Sequence, residues 1–301
     1  MGMTENISVS AIIVTYNRKK LLLECISSLL SQESTALLDI LIIDNASTDG
    51  TKDAVQEYID KGIIQYFNTE ANLGGAGGFE FGVRQAAKKN CDYVWLMDDD
   101  TIPNSTALKE LLIAAEQLKS FGFLSSHALW TDGSTCSMNV QRKNIFRSLK
   151  AKEFKQKMIP VEYATFVSLF IPMAVVREVG APIGDFFVWG DDWEYTRRIS
   201  KKHKSYVVIN SKVIHKMSTN NGGDISKELP ERLQRQKYGY RNISYICRME
   251  GFKGRIYHCL KILKDITKII FKSESDKKER IGIIICGIKE GRKFNPPIKP
   301  I

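Results

Sequence analysis

The 301-residue sequence has no CxxC pair, no apolar stretch of membrane-spanning length and no basic segment ahead of an apolar run at its start. Each absence removes a class of protein. The six cysteines (Cys25, Cys91, Cys136, Cys247, Cys259, Cys286) are scattered. That argues against a zinc site or a disulfide framework and fits a reducing cytoplasm. Apolar runs such as Ile281–Ile288 fall far short of the ~20 residues a membrane span needs. Met1–Ser10 is polar and Ala11–Val14 is too short for the core of a leader, so no secretory signal is expected. A net excess of positive charge is lacking from most of the chain, although the net charge is +10. Residues 251–301 hold 13 Lys and Arg against 5 Asp and Glu, so the excess sits in the tail. A body so nearly balanced is not a nucleic-acid-binding surface.

What is present is an ordinary folding composition, 43% hydrophobic and 26% charged. Short apolar runs alternate with helical patterns. Strands are expected at Val9–Val14, Ile40–Ile43, Ile63–Phe67 and Tyr93–Met97. Helices are expected at Arg18–Ser31, Thr51–Lys61, Gly77–Lys89 and from about Pro103. Such alternation implies an α/β fold with a mostly parallel sheet flanked by helices. Ligands bind beyond the carboxyl ends of such strands, and three polar clusters fall there: Thr15-Tyr16-Asn17, Asp44-Asn45 and Asp98-Asp99-Asp100. Later in the chain, Tyr163–Ile171 and Ser205–Ile209 read as strands, and Pro172–Gly180 and Asp191–Lys202 as helices. From Leu229 the chain reads as helical and basic.

Within an extended segment alternate side chains share a face, so Asp98 and Asp100 can converge while Asp99 points away. Two convergent carboxylates suit a hard divalent cation, Mn²⁺ or Mg²⁺, that also meets a substrate diphosphate. The other reading is a solvated acidic turn before a helix. Asn72-Leu73-Gly74-Gly75-Ala76-Gly77-Gly78 brings four glycines to a helix start, where backbone N–H groups of Gly74 and Gly75 can approach a phosphate or sugar. Arg84, further along that helix, either reaches a phosphate or stays solvated. In Trp189-Gly190-Asp191-Asp192-Trp193-Glu194-Tyr195, Asp191 with Glu194 forms a capping-box pattern, and Trp189 is a platform for a sugar.

These segments resemble, in order, those of the GT-A-fold glycosyltransferases of family 2. AIIVTYNRKKLLLECISSLLSQ is similar to the family's first strand, loop and helix, DILIIDNASTDGT to its nucleotide-contacting loop, and YVWLMDDD to its metal-binding segment. NLGGAGGFEFG and FFVWGDDWEY resemble the galactofuranosyl- and rhamnosyltransferase-like branch, although Gly190 intervenes where those relatives set Trp directly before the Asp pair. The resemblance spans roughly residues 8 to 245. It implies that Thr15, Tyr16, Asn17, Asp44, Asn45, Asn72 and Asp99 hold the donor. It implies that Asp98, Asp100 and His215 hold the metal, and that Asp192, beside Asp191, is the base of an inverting transfer. An Asp at position 44 accepts from the N3–H of uracil or thymine, so a UDP- or dTDP-linked sugar is the expected donor, with UDP-galactofuranose ahead of dTDP-rhamnose. The acceptor is a glycan or lipid-linked intermediate of surface polysaccharide.

The implied organisation is a catalytic unit over residues 1–228, with a nucleotide half at about 8–120 and an acceptor half at about 121–228. A helical basic extension follows over 229–301. In that extension Ile256, Leu260, Leu263, Ile266 and Ile270 share one helical stripe with lysines largely off it. The stripe lies on an anionic membrane surface, or packs on the protein or a second subunit. Peripheral attachment to the inner face of the membrane follows from the first choice. A sugar nucleotidyltransferase is discounted because Ala11–Arg18 has no glycine for a triphosphate loop. A non-catalytic sugar- or membrane-binding protein has no use for the acidic triplet with Asp192.

Overall fold

A computed structural model describes residues 7–220 and 223–301. The part of the leader expectation that concerns residues 1–6 lies outside the described residues. The chain runs β1 (Ser8–Thr15), α1 (Lys19–Leu30), β2 (Leu37–Asp44), α2 (Thr51–Asp60), β3 (Ile64–Asn68), α3 (Gly74–Ala87) and β4 (Tyr93–Asp98). β5 (Thr101–Pro103), α4 (Ala107–Leu118), β6 (Leu124–Leu129) and the short β7 (Arg142–Asn144), β8 (Arg147–Ser148) and β9 (Met158–Pro160) follow. Next come β10 (Leu169–Pro172), α5 (Met173–Val179), α6 (Asp191–Ser200) and β11 (Tyr206–His215). Four helices end the chain: α7 (Pro230–Leu233), α8 (Gln236–Met249), α9 (Gly251–Lys272) and α10 (Lys277–Lys293).

The main sheet is ordered β3-β2-β1-β4-β10-β6-β11-β5, with β9 also on β11. β3, β2, β1 and β4 are mutually parallel, and β10 runs antiparallel between β4 and β6. This is the mostly parallel sheet flanked by helices that the alternation predicted. β1 shows why the strands read as continuous apolar runs. Ala11 and Ile13 pack with Leu22, Ile26 and Leu108 on one side, while Ile12 and Val14 pack with Phe79, Val83 and Val176 on the other. Each such side chain, fully buried, contributes about 1.5–3 kcal/mol.

Four expectations are corrected. The helix expected from Pro103 begins at Ala107, because Thr101–Pro103 pairs antiparallel with the end of β11. The strand expected at Tyr163–Ile171 shortens to Leu169–Pro172 behind a 3-10 turn at Phe166–Ser168. β11 runs six residues past Ile209, through an irregularity between Val208 and Lys212, to His215. β6 went unseen because its sequence, LSSHAL, is polar. Its serines are nonetheless buried in a hydroxyl chain, Ser126 Oγ lying 2.7 Å from Ser168 Oγ and 2.6 Å from Ser211 Oγ.

The last three helices pack on one another through small residues. A Cβ at Gly287 would stand 2.7 Å from the Lys237 carbonyl oxygen, and one at Gly291 2.5 Å from Ser244 Cβ, so α10 lies directly against α8. No helix among the described residues is long and apolar enough to cross a membrane.

Candidate functional site

β2 and β3 lie on one side of β1 and β4 on the other, so the order reverses between β1 and β4. A crevice opens at the carboxyl ends of such neighbouring strands. Here Thr15 ends β1, and Asp98 ends β4 as the register partner of Val14. A cavity of about 980 Å³ occupies this place, lined by β1, β4, the start of α3, the loop before α6, the end of β11 and the extension helices.

The acidic triplet divides as expected, but by a turn and not by strand alternation: β4 ends at Asp98, and Asp99 and Asp100 form the turn into β5. Asp99 turns back toward β1, accepting from Thr15 Oγ1 at 2.7 Å and from Arg18 at 3.3 Å. Asp98 and Asp100 converge with His215, their ligand atoms all within 4.8 Å of one another. The β5–β11 pairing delivers the histidine, for Thr101 is the register partner of His215. His215 Nε2 lies 2.9 Å from Asp100 Oδ1, and its Nδ1 lies 2.8 Å from Asn139 Oδ1. An amide oxygen only accepts, so Nδ1 donates to it and Nε2 faces the carboxylates. Such a second hydrogen bond fixes ring orientation and tautomer, as it does for metal-ligating histidines in general. Two carboxylates and an imidazole form a donor set that fits Mn²⁺ or Mg²⁺.

The charges there are mutually perturbed. Burial and the neighbouring Asp100 push Asp98 up to about 7, and burial pushes Asp99 up to about 6. Burial also acts to raise Asp100, but the hydrogen bond and charge of His215, with Arg18 at 2.6 Å, hold it below the usual value. His215 rises to about 10 because the acceptor and charge of Asp100 outweigh its burial. A bound dication would replace the proton shared in this cluster.

Across the cavity stand Asp191 and Asp192. Asp191 opens α6 after Gly190, whose left-handed φ of 88° suits glycine. The capping-box expectation is corrected: Asp191 is the first helical residue, not the cap. Glu194 instead pairs with Arg198 at 2.8 Å. Burial raises the Asp191 carboxyl to about 6. Burial together with Asp191 raises Asp192 well above the ordinary range. Asp192 Oδ1 accepts from the Trp193 N–H at 2.7 Å.

The loop before this pair is held in a costly shape, since Phe187 and Trp189 also have positive φ, at 63° and 62°. Such residues cost of order 1–3 kcal/mol each and persist where the surroundings over-determine them. Two elements do so. Fully buried Asn242 of α8 spreads its amide to the carbonyl oxygens of Phe186, Val188 and Trp189, at 2.9, 3.0 and 2.8 Å. From α3, the Ala76 N–H donates to the Phe187 carbonyl at 3.2 Å.

The glycine run is not a loop. Gly74–Gly78 forms the first turn and a half of α3, three residues earlier than expected, and most of its glycines serve close packing. A Cβ at Gly78 would meet Val14 at 2.5 Å, and one at Gly82 would meet Ile12 at 2.4 Å. Gly74 touches Phe187, whereas Gly75 has open space and lines the cavity.

Of the remaining donor-site candidates, Thr15, Tyr16, Asn45, Asn72, Gly74, Asp99 and Trp189 line the cavity. Asn45 Nδ2 donates to the Gly74 carbonyl at 2.9 Å, and Asn72 Oδ1 accepts from the Gly74 N–H at 2.9 Å. Three candidates lie off the cavity wall. Asn17 accepts from the Thr48 N–H at 2.7 Å and braces two loops. Asp44 is buried, its oxygens taken by the Ser47 N–H and the Tyr66 hydroxyl. Arg84 pairs with Glu80 along α3 at 3.3 Å, which turns it away from the phosphate contact expected of it.

Residues that the sequence did not flag complete the site. Arg18 neutralises part of the triplet, and Asn139 orients His215. Trp193, beneath the Arg142 guanidinium at 4.8 Å, forms an aromatic wall with Tyr257. Arg18, next to Asn17 at a strand end, offered a local signal. Trp193 lay beside Asp192 in the acidic motif, while Asn139, Arg142 and Tyr257 arrive from distant segments.

The family model described as glycosyl transferase family 2 matches residues 10–167. The galactofuranosyltransferase GlfT1 of Mycobacterium tuberculosis (strain H37Rv) is 26% identical over 265 residues, 83% of this chain and 85% of that protein. Its counterpart in Mycolicibacterium smegmatis is 24% identical over 264 residues, 83% and 86% of the two chains. Among solved structures, GalNAc-T7 with UDP, GalNAc and Mn²⁺ aligns with a TM-score of 0.66 at 14% identity, over 97% of this chain and 57% of that one. S. aureus TarS 1–349 in complex with UDP aligns with a TM-score of 0.56 at 14% identity, over 95% and 72%. The fold is that of the GT-A glycosyltransferases.

Proposed function

The chain belongs to glycosyltransferase family 2, and we propose that it is a metal-dependent, inverting enzyme that moves galactofuranose from UDP-galactofuranose to a glycan or lipid-linked acceptor in surface polysaccharide synthesis. The observation that carries this reading is one cavity with Asp98, Asp100 and His215 in its wall together with Asp192.

Asp98, Asp100 and His215 would hold Mn²⁺ or Mg²⁺, with Asn139 fixing the imidazole. The ion supplies positive charge to the departing nucleoside diphosphate. Asp192 takes the proton of the acceptor hydroxyl while that oxygen forms its bond to the anomeric carbon and the bond to the diphosphate breaks. Its raised pKa makes it a stronger base than a free carboxylate once ionised. No carboxylate nucleophile is required, in contrast to a retaining route. Thr15, Tyr16, Asn45, Asn72 and Gly75 form the donor end, and Trp189, Trp193 and Tyr257 the acceptor end. Asp44 acts by its hydrogen bonds to the loops when no donor is bound, and reaches a uracil N3–H only if Tyr66 gives way.

Support for galactofuranose comes from the two mycobacterial relatives, which match over most of their length. dTDP-rhamnose is the competing donor. A panel of nucleotide sugars with Mn²⁺ tests the assignment through thermal stabilisation and turnover. A ligand at 100 times its Kd adds about 2.7 kcal/mol. UDP should stabilise and dTDP should not, and chelation should abolish transfer. Full activity with chelator overturns the metal role, and turnover of dTDP-rhamnose alone overturns the donor.

A further inference from the structure

α9 has two different long edges. Tyr257, Lys261 and Asp265, four residues apart, line the candidate cavity. On the other side Phe252, Leu260, Leu263 and Phe271 stand exposed at 77%, 56%, 64% and 80%, with exposed Ile256 and Cys259 among them. At 100° per residue these fall within about one third of the helix circumference. The stripe expected from the sequence is therefore largely uncovered, and only Ile266 of its five members turns inward to pack with the neighbouring helices. A contiguous apolar face of this kind needs a partner.

The charge on α9 identifies the partner's sign. The helix carries six cationic side chains and one acidic one. The acid, Asp265, is buried on the far edge, accepting from Lys261 at 2.7 Å and from the Tyr240 hydroxyl at 2.8 Å. Lys253, Arg255 and Lys264 are exposed, border that face at 100° per residue and make no ion pair among the described residues. An apolar face rimmed by unpaired cations matches the interface of an anionic bilayer, where apolar side chains enter the headgroup boundary and lysines meet phosphates. A second copy of this chain would bring the same positive rim against itself.

We propose that the outward face of α9 seats the protein on an anionic lipid surface. The helix then separates lipid on one side from the cavity on the other. An acceptor carried on lipid would enter beside Tyr257 and Lys261. That last step rests on the transferase reading, while the docking does not.

The test is flotation of the full-length protein with phosphatidylglycerol-containing vesicles and with pure phosphatidylcholine vesicles. The anionic vesicles should bind it, and binding should weaken as salt rises and shortens the screening length. Leu260→Gln/Leu263→Gln/Phe271→Gln should weaken partition by at least about 10-fold, with melting temperature and UDP-dependent stabilisation kept. A polarity-sensitive dye on Cys259, after Cys286→Ser, gives a second readout without the triple substitution. Its emission should shift on adding anionic vesicles. Absence of wild-type binding at low salt, undiminished binding by the triple variant, or no dye shift would overturn the proposal. So would a dimer that the triple substitution converts to monomer, since a second copy would then cover the face. Lost transfer with intact vesicle binding would count against the transferase reading and leave the docking standing.

Discussion

Gly74→Ala tests the geometry of the strained loop more directly than any change at the acids. Gly74 has φ of 70°, and a Cβ there would stand 2.0 Å from the Phe187 carbonyl oxygen and 2.7 Å from its carbon. Ordinary contact requires Phe187 to retreat by more than about 1 Å, and backbone cannot turn aside as a side chain can. The left-handed conformation costs about 1–2 kcal/mol for a non-glycine residue, and overpacking adds about 1–3 kcal/mol. Strain on the Ala76–Phe187 hydrogen bond forfeits about 1 kcal/mol more. Together these give about 3–6 kcal/mol, and at about 2–4 °C per kcal/mol the melting temperature should fall by about 6–24 °C. The displaced segment leads straight into Asp191 and Asp192, so turnover should fall about 100-fold in the variant that remains folded. Gly75→Ala is the matched control: no atom lies within 4 Å of its added Cβ and its φ is not left-handed. Its melting temperature should hold or rise slightly, because alanine is favoured over glycine in a helix by up to about 1 kcal/mol. Only KM should change, since Gly75 lines the cavity. Differential scanning fluorimetry and initial rates measure both. A Gly74→Ala protein melting within about 2 °C of wild type and turning over within about 3-fold would refute the packing argument.

Asp192→Asn should lower turnover by about 10²–10⁴-fold while UDP-dependent stabilisation survives; a near-normal rate assigns the base elsewhere. A protonated Asp192 cannot accept a proton, so the wild-type rate should fall as pH drops through a pKa lifted first by burial and then by Asp191. An acid limb centred near the ~3.9 of free aspartic acid would contradict that environment. Asn139→Ala should weaken Mn²⁺ binding by about 10–100-fold, read by titration calorimetry, and unchanged affinity would show that His215 needs no such partner. Asn242→Ala leaves the Val188 and Trp189 carbonyls without this donor and should cost about 1–3 kcal/mol, with kcat falling more than KM rises; the reverse pattern would mean the loop serves binding alone.

Legibility in the sequence followed the range of the interaction. The first four strands were readable because β1, β2 and β4 are apolar runs largely buried on both faces, and all four are flanked by turn residues. The nearness of Asp98 and Asp100 was readable because they are two residues apart, although a turn and not an extended strand brings them together. β6 was unreadable because its buried serines satisfy their hydroxyls elsewhere in the chain, Ser126 through Ser168 and Ser211 and Ser125 through Gln141. Asn139 and Asn242 were unreadable for the same reason, since each acts on a segment about fifty or more residues away. The glycine run misled in a different way. Glycine fits both a phosphate loop and a helix pressed against a sheet, and only the neighbours Val14 and Ile12 distinguish them.

The grip of Asn242 on the residues ahead of Asp191 has a bearing on how such enzymes diversify. The residues matched by the family model stop at 167, yet α8 holds the loop that leads to Asp191 and Asp192, and α9 supplies one wall of the cavity. A chimera that exchanged only the C-terminal helices between two relatives would not simply redirect the same chemistry to a new acceptor. It would also retune the seating of Asp191 and Asp192, so the shape of the cavity wall and the placement of these carboxylates are inherited as one linked trait.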